Sequence, residues 1–311
     1  MSTKPIDLIV ILGATAGGKT GLAVATAEHF NGEIISADSR QVFRGMDLGT
    51  GKDLAEYGEV PYHLIDIAEP GTEFSVYQFQ KLCFEAIEEI SSRNKTPIIC
   101  GGTGLYLESV LQGYRMVHVP ENPALREQLA DLSDEQLQQR LIGVKPEQHN
   151  QTDLSDSNRM FRAIEIAVAE QQLIDDEPPL PELNPVIFGL RWPRPVLRKR
   201  IAQRLKQRLE QGMIEEVAEL HAAGTSWQSL EFYGLEYRLI AQHLQGQLSF
   251  NDMKQKLQSA IGQFAKRQET WFRRMERRGT DITWLEGNQQ PYETLSQHLR
   301  LINFPGTEPP A

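Results

Sequence analysis

The stretch Gly13-Ala14-Thr15-Ala16-Gly17-Gly18-Lys19-Thr20 satisfies the pattern G-x-x-x-x-G-K-[ST] at each fixed position. The β-branched run before it, residues 6–12, reads as a strand, and residues 20–30, with Leu22, Ala23, Ala27 and Phe30 on one side, read as the helix that follows. Glycines let such a loop curl so that backbone N–H groups point inward. The helix N-terminus adds partial positive charge and Lys19 a full one, which makes a cradle for a di- or triphosphate. Thr20 is the residue in the pattern that ligates Mg²⁺. This feature restricts the chain to an α/β architecture with a phosphate site at the carboxyl end of its first strand.

A chain of 311 residues with 40% hydrophobic content has room for one large α/β domain or two smaller ones around a proper core. No run approaches the ~18 apolar residues of a membrane span, so the cytoplasm is the default location. Cys83 and Cys100 sit in apolar surroundings without metal-ligand spacing and read as buried, reduced thiols. A net charge of -10 argues against nonspecific coating of nucleic acid, though it leaves room for a local basic groove.

Residues 33–37 form a second strand candidate that runs into Asp38-Ser39-Arg40-Gln41-Val42-Phe43. In open α/β sheets chemistry gathers at the carboxyl ends of strands, which puts Asp38 on the edge that carries the phosphate loop. Asp38 there is a reactive carboxylate, a turn cap, or an outer ligand of Mg²⁺. Residues 63–67 are a third strand candidate, with His63 read as a partly buried histidine. Residues 74–90 have helical period. Residues 97–100 form a fourth strand, ending in Gly101-Gly102-Thr103, which is either a second wall of the cleft or a plain strand-to-helix turn.

Beyond residue 114 the chain turns polar and helical. Asn122-Pro123 starts one helix, Ser133-Asp134-Glu135-Gln136 forms a capping box for another, and a third over residues 157–170 puts Arg159 and Arg162 on one face. Residues 175–181 resemble a linker, and residues 186–190 a strand that rejoins the sheet. Next comes an acid-free basic run, Arg191, Arg194, Arg198, Lys199, Arg200, Arg204, Lys206 and Arg208, which suits a polyanion better than a solvated helix face. A second cluster, Lys266, Arg267, Arg273, Arg274, Arg277 and Arg278, brackets Trp271-Phe272. The expected organisation is a phosphate-loop core in residues 1–115, a helical insertion in 116–185, a mainly helical second part of the core in 186–302, and a disordered Pro-rich tail in 303–311.

Taken together, Gly13-Ala-Thr-Ala-Gly-Gly-Lys-Thr, Asp38-Ser-Arg-Gln-Val-Phe, Gly45-Met-Asp-Leu-Gly-Thr, His63-Leu-Ile-Asp-Ile, Gly101-Gly-Thr-Gly-Leu-Tyr, Asn158-Arg-Met-Phe-Arg-Ala and Ala265-Lys-Arg-Gln-Glu-Thr-Trp resemble the bacterial form of the tRNA isopentenyltransferase family, in order from about residue 6 to about 285. The resemblance implies a nucleotide-kinase-like core, with a helical insertion that grips the anticodon stem-loop. It also implies transfer of a dimethylallyl group from dimethylallyl diphosphate to the exocyclic N6 of the adenosine 3′ of the anticodon, with Mg²⁺ as cofactor. The residues it implies are Asp38 as base, Lys19 and Thr103 beside it, and the phosphate loop with Arg200 or Arg204 for the diphosphate. For tRNA it implies Asp38, Ser39, Arg40, Gln41, Thr103, Arg126, Arg159, Met160, Phe161, Arg162 and Ala163, in a monomer that does not use ATP. Phe43, Ile261-Gly262 and Glu236-Tyr237-Arg238 depart from the family's common wording. An adenine-nucleotide isopentenyltransferase, a small-molecule kinase and a noncatalytic nucleotide-gated RNA binder are the alternative readings of the same residues.

Overall fold

Every residue from Leu8 to Leu12 is fully buried, which explains why this strand shows no polar alternation: helices cover both of its faces. The computed structural model describes residues 6–116, 119–144, 157–172 and 179–304. Six strands, β1 (Leu8–Gly13), β2 (Gly32–Ala37), β3 (Tyr62–His63), β4 (Thr96–Gly101), β5 (Pro185–Arg191) and β6 (Thr283–Glu286), pair in parallel in the order β3-β2-β4-β1-β5-β6. The first crossovers are α1 (Lys19–His29) and α2 (Val76–Ser92), the latter opened by a reciprocal capping box between Ser75 and Gln78. After β4 come α3 (Gly104–Leu111), then α4 (Pro123–Ala130), α5 (Asp134–Val144) and α6 (Ser157–Gln172). After β5 come α7 (Arg194–Glu210), α8 (Met213–Ala222), α9 (Trp227–Phe232), α10 (Leu235–Leu244) and α11 (Phe250–Arg277), and after β6 comes α12 (Pro291–Leu301).

The two-residue period of β1 divides the core. Ile9 and Ile11 pack with Ala23, Phe30, Leu295 and Leu299 of α1 and α12 or their ends, while Leu8, Val10 and Leu12 pack with Phe79, Leu107, Phe272 and Met275 of α2, α3 and α11. A third cluster joins α7, α8, α10 and α11 through Ile201, Leu205, Val217, Ile240 and Leu257. It also takes in Ala14 and Ala16 of the phosphate loop and Val42, Phe43 and Met46. This helical layer is what holds the carboxyl edge of the sheet in shape.

The chain divides into two compact units, Met1–Tyr114 with Pro181–Ala311, and Arg115–Leu180. The smaller unit has its own core of Leu129, Leu137, Leu141, Met160 and Ile164, and Asn122 caps α4 by accepting from the Leu125 N–H. The larger unit resumes before the residue 186 expected from sequence, because Asp7 and Asn184 exchange hydrogen bonds that extend the edge of β1 and β5.

Other differences have local causes. The third strand stops at His63, since Leu64 and Asp66 take left-handed φ values of 61° and 56°. β6 was not anticipated; Trp284 in it lies flat against Gly189, where a Cβ would come within 2.6 Å of the indole. The tail does not begin at residue 303, because Phe304 is buried with its ring edge-on to Phe30. Residues 305–311 and most of the expected linker, residues 175–178, lie outside the described residues.

Two glycines make the packing testable. A methyl group on Gly101 would overlap the Ala37 carbonyl oxygen, whereas one on Gly21, inside α1, meets open space. Gly101→Ala is expected to lower stability by about 1–3 kcal/mol. Gly21→Ala is expected to raise it by up to about 1 kcal/mol, since alanine is the better helix former. Urea unfolding midpoints of the two variants check both signs.

Candidate active site

β1 delivers the chain into a loop whose tightness dictates its residues. A Cβ on Gly13 would lie 2.6 Å from the Leu190 oxygen, Ala16 and Gly18 have φ of 58° and 89°, and α1 begins at the next residue, Lys19. The Lys19 ammonium folds back to donate to the Ala14 carbonyl at 3.0 Å. Burial pulls its pKa below the ordinary lysine value, Arg204 adding to that and Asp38 opposing it. A desolvated cation of this kind draws an anion strongly.

The candidate arginines separate. Arg200 donates from Nε to the Ala16 carbonyl at 2.8 Å, and its guanidinium lies 4.3 Å from the ring centre of Trp192, which in turn donates to the Gly17 carbonyl. Arg204 turns instead to Asp53 at 2.7 Å, shared with the buried Arg208 at 2.9 Å. Burial pushes the Asp53 carboxyl up, but the two guanidiniums outweigh it and hold its pKa below the ordinary aspartate value. Arg200 is therefore the arginine laid on the loop. A cleft of about 510 Å³ opens beside it, lined by Gly17, Gly18, Gly21, Trp192, Arg200 and Tyr292 among others.

Across the same sheet edge, the Arg40 N–H donates to Asp38 Oδ1 at 2.9 Å, and the Ser39 N–H donates to Thr103 Oγ1 at 3.1 Å. The Thr103 N–H donates to the Ala37 carbonyl, so the ends of β2 and β4 hold one another. Gln41 accepts from the Ser36 hydroxyl and donates to the Gly51 carbonyl, which makes it a strut of this edge. Asp38, Ser39, Arg40, Thr103 and Lys19 thus gather in the larger unit, as the strand-end argument requires.

Sequence reasoning passed over the side chain that connects the two walls. Gln268 accepts from the Thr15 N–H at 2.8 Å and donates to the Gly102 carbonyl at 2.9 Å, tying the phosphate loop to the loop that carries Thr103. The signal was present, for Gln268 is the one amide in the buried stripe Ile261, Ala265, Gln268, Phe272, Met275 of α11. Two further supports also went unread. Lys52, fully buried, donates to Asp47, Asp66 and the Phe43 carbonyl. Glu216 accepts from the N–H groups of Asp47, Leu48 and Gly49 and from the Tyr237 hydroxyl.

In the smaller unit the expected RNA-facing residues divide. Met160 is fully buried in the unit's core, so its side chain packs helices together and is corrected as a contact residue. Arg126 pairs with Glu165 at 2.8 Å and Glu121 at 2.8 Å, and Arg162 with Glu165 at 3.1 Å and the Val119 carbonyl at 2.6 Å. Their chief partner is thus a buried carboxylate. Phe161 and Ala163 are half-buried against the same core, and Arg159 is exposed. In α11, Arg274 and Arg278 are likewise bound to the buried Glu108, which leaves Lys266, Arg267, Arg273 and Arg277 facing outward.

Residues 41–275 match the family model described as IPP transferase. The tRNA dimethylallyltransferase 1 of Geotalea uraniireducens is 58% identical over 300 residues, covering 96% of this chain and 99% of that protein. The tRNA dimethylallyltransferase 2 of Syntrophotalea carbinolica is 60% identical over 289 residues, 93% of this chain and 97% of that one. Among solved structures, the full-length tRNA isopentenylpyrophosphate transferase of Bacillus halodurans is 31% identical with a TM-score of 0.69, covering 96% of this chain and 98% of that chain. A eukaryotic dimethylallyltransferase acting on tRNA, at 22% identity and a TM-score of 0.78 over 96% of this chain and 80% of that chain, shares the fold.

Two substitutions read out these supports. Gln268→Met keeps the volume but leaves the Thr15 N–H and Gly102 carbonyl unpaired, an expected loss of about 1–3 kcal/mol for each group in a denaturant titration. Asp53 has a depressed pKa, so its contribution is complete above the unfolded value near 3.8 and is lost as pH falls through the lower folded value. Stability measured from pH 5 downward is expected to fall less steeply in Asp53→Asn than in the parent, from a lower starting point.

Proposed function

The chain belongs to the IPP transferase family of tRNA dimethylallyltransferases, and we propose that it moves a dimethylallyl group from dimethylallyl diphosphate to N6 of the adenosine 3′ of the anticodon, releasing diphosphate. The observation that carries this reading is the meeting of a phosphate cradle and a carboxylate on one sheet edge, braced by Gln268 and Thr103. In the cradle the backbone N–H groups of the loop, the desolvated Lys19 and Arg200 hold the donor's diphosphate. As the allylic C–O bond breaks, the bridging electron pair passes to the diphosphate, and those cations stabilise it there.

The adenine N6 lone pair forms the new bond to the allylic carbon and the amine becomes acidic. Asp38, held by the Arg40 N–H, takes its proton. Thr103 keeps the Ser39 backbone in place by accepting from its N–H. Mg²⁺, when bound, would be held on the protein side by Thr20, in the first turn of α1, and would supply positive charge against the leaving diphosphate.

The acceptor adenine leaves its stack and enters between the 38–41 loop and Thr103, at a cost of a few kcal/mol that backbone contacts offset. Arg159 of the smaller unit and the outward cations of α7 and α11, among them Arg198, Lys199 and Arg267, are the phosphate contacts. Arg126 and Arg162 act chiefly through Glu165, by shaping the unit that presents Arg159. The enzyme works as a monomer in the cytoplasm. No helix among the described residues is long and apolar enough to cross a membrane.

With labelled dimethylallyl diphosphate and tRNA, Asp38→Asn is expected to transfer roughly 10²- to 10⁴-fold more slowly than the parent while binding tRNA as before. Unlabelled diphosphate is expected to inhibit competitively against the donor. Transfer by the variant at the parent's rate would remove Asp38 from the chemistry, and inhibition that excess donor cannot relieve would separate the diphosphate site from the cradle.

A further inference from the structure

Phe232, the last residue of α9, is 66% exposed although its neighbours on both sides are anchored. Leu230 is buried, and Tyr233 is buried with its ring edge-on to Phe43 at 4.6 Å and its hydroxyl accepting from the Gly71 N–H. The ring is therefore held out into solvent by a fixed backbone. Single exposed apolar residues are ordinary on protein surfaces, and exposure alone assigns nothing.

Its position is what distinguishes it. The Arg40 guanidinium lies 5.6 Å from the centre of the Phe232 ring, and the Arg40 N–H is the donor that holds Asp38. Arg40 also approaches Gly234, where a Cβ would sit 3.7 Å from its Nε. Among the described residues the guanidinium has no hydrogen-bond or ion-pair partner. The carboxylates that act on it are Asp38 and Glu236. A largely exposed aromatic ring, with the Arg40 guanidinium over one face, thus stands beside a planar cation that has no hydrogen-bond partner among the described residues, two residues along the chain from Asp38.

We infer that Phe232 is a stacking platform for the nucleobase next to the target adenine, with Arg40 meeting the backbone phosphate or base edge beside it. The inference rests on the tRNA reading above and deepens it. A base flipped out of a loop leaves its neighbours unstacked, and an aromatic side chain is the surface on which a single-stranded base recovers that contact. Arg40 supplies charge where the strand must turn. Phe232 touches the neighbouring nucleotide and not the reacting atoms, so it is a positioning residue.

The test uses the full chain, an anticodon stem-loop RNA, and two versions of that RNA with an abasic nucleotide immediately 5′ or 3′ of the target adenosine. Phe232→Ala and Phe232→Leu are expected to weaken RNA binding, read by fluorescence anisotropy, by roughly 5- to 150-fold, the range for losing one stacked base. Both are expected to keep the parent's melting temperature and its KM for dimethylallyl diphosphate. Phe232→Trp is expected to bind as the parent does. On one of the two abasic RNAs the parent is expected to drop to the level of Phe232→Ala, with no further loss in the variant, because ring and base are partners in one contact. A leucine variant that binds like the parent, or a variant whose loss adds in full to that of both abasic RNAs, would overturn the platform. Absence of prenyl transfer by the parent would instead sink the reaction assigned above, and the binding arms would still decide the role of Phe232.

Discussion

The carboxamide of Gln268 reaches two loops at once, and the geometry of the site depends on that reach. Its oxygen holds the backbone N–H of Thr15 and its nitrogen the carbonyl of Gly102, so the donor cradle and the wall that carries Thr103 keep a set spacing. Burial of the Gln268 side chain and of its bond to Gly102 makes this bridge stiff at that end, since the Gly102 carbonyl has no water to turn to. Gly102 leaves room for it, because a side chain there would overlap the amide. A reaction in which one bond forms as another breaks needs its two partners at a defined separation, and a buried amide between the loops supplies it.

Around this bridge, charge is used differently in the two units. In the larger one, Lys52 with Asp47 and Asp66, Asp53 with Arg204 and Arg208, and Glu108 with Arg274 and Arg278 are each closed sets with a buried member. They shape loops, and because each sets two charges against one, the Lys52 set is left negative and the other two positive. In the smaller unit Glu165 gathers Arg126 and Arg162 in the same manner. Cations such as Arg198, Lys199 and Arg267 face outward from α7 and α11, which is why a chain of net charge -10 can still present basic surface.

The parts of the fold that were legible in the sequence are those written in local rules. The phosphate loop, the four main strands, the caps at Asn122 and Ser133 and the strand-end position of Asp38 follow from glycine conformation, apolar runs and capping chemistry. His63, read as a satisfied histidine, is paired with Glu33 at 2.7 Å, and both cysteines are buried and free. What stayed hidden depends on residues far apart in the chain. Glu216 caps a loop some 170 positions earlier, with sequence separations of 167 to 169. β6 is a strand through its pairing with β5, in which Trp284 lies opposite Gly189, nearly a hundred positions earlier. The basic runs misled in part, since a run of arginines does not disclose which of them are bound to an acid within the fold; Arg208 is buried against Asp53, and Arg274 is bound to the buried Glu108.

The bridge at Gln268 also sets an order of events in time. Thr15 is made well before the group that completes its hydrogen bonding, which lies 253 positions later. Contacts of such separation close long loops and form late in folding. On a ribosome, the phosphate loop can therefore be synthesised, and the first strands paired, well before the loop reaches its final form. An emerging chain cannot have the finished cradle until Gln268 of α11 has been made and has reached Thr15.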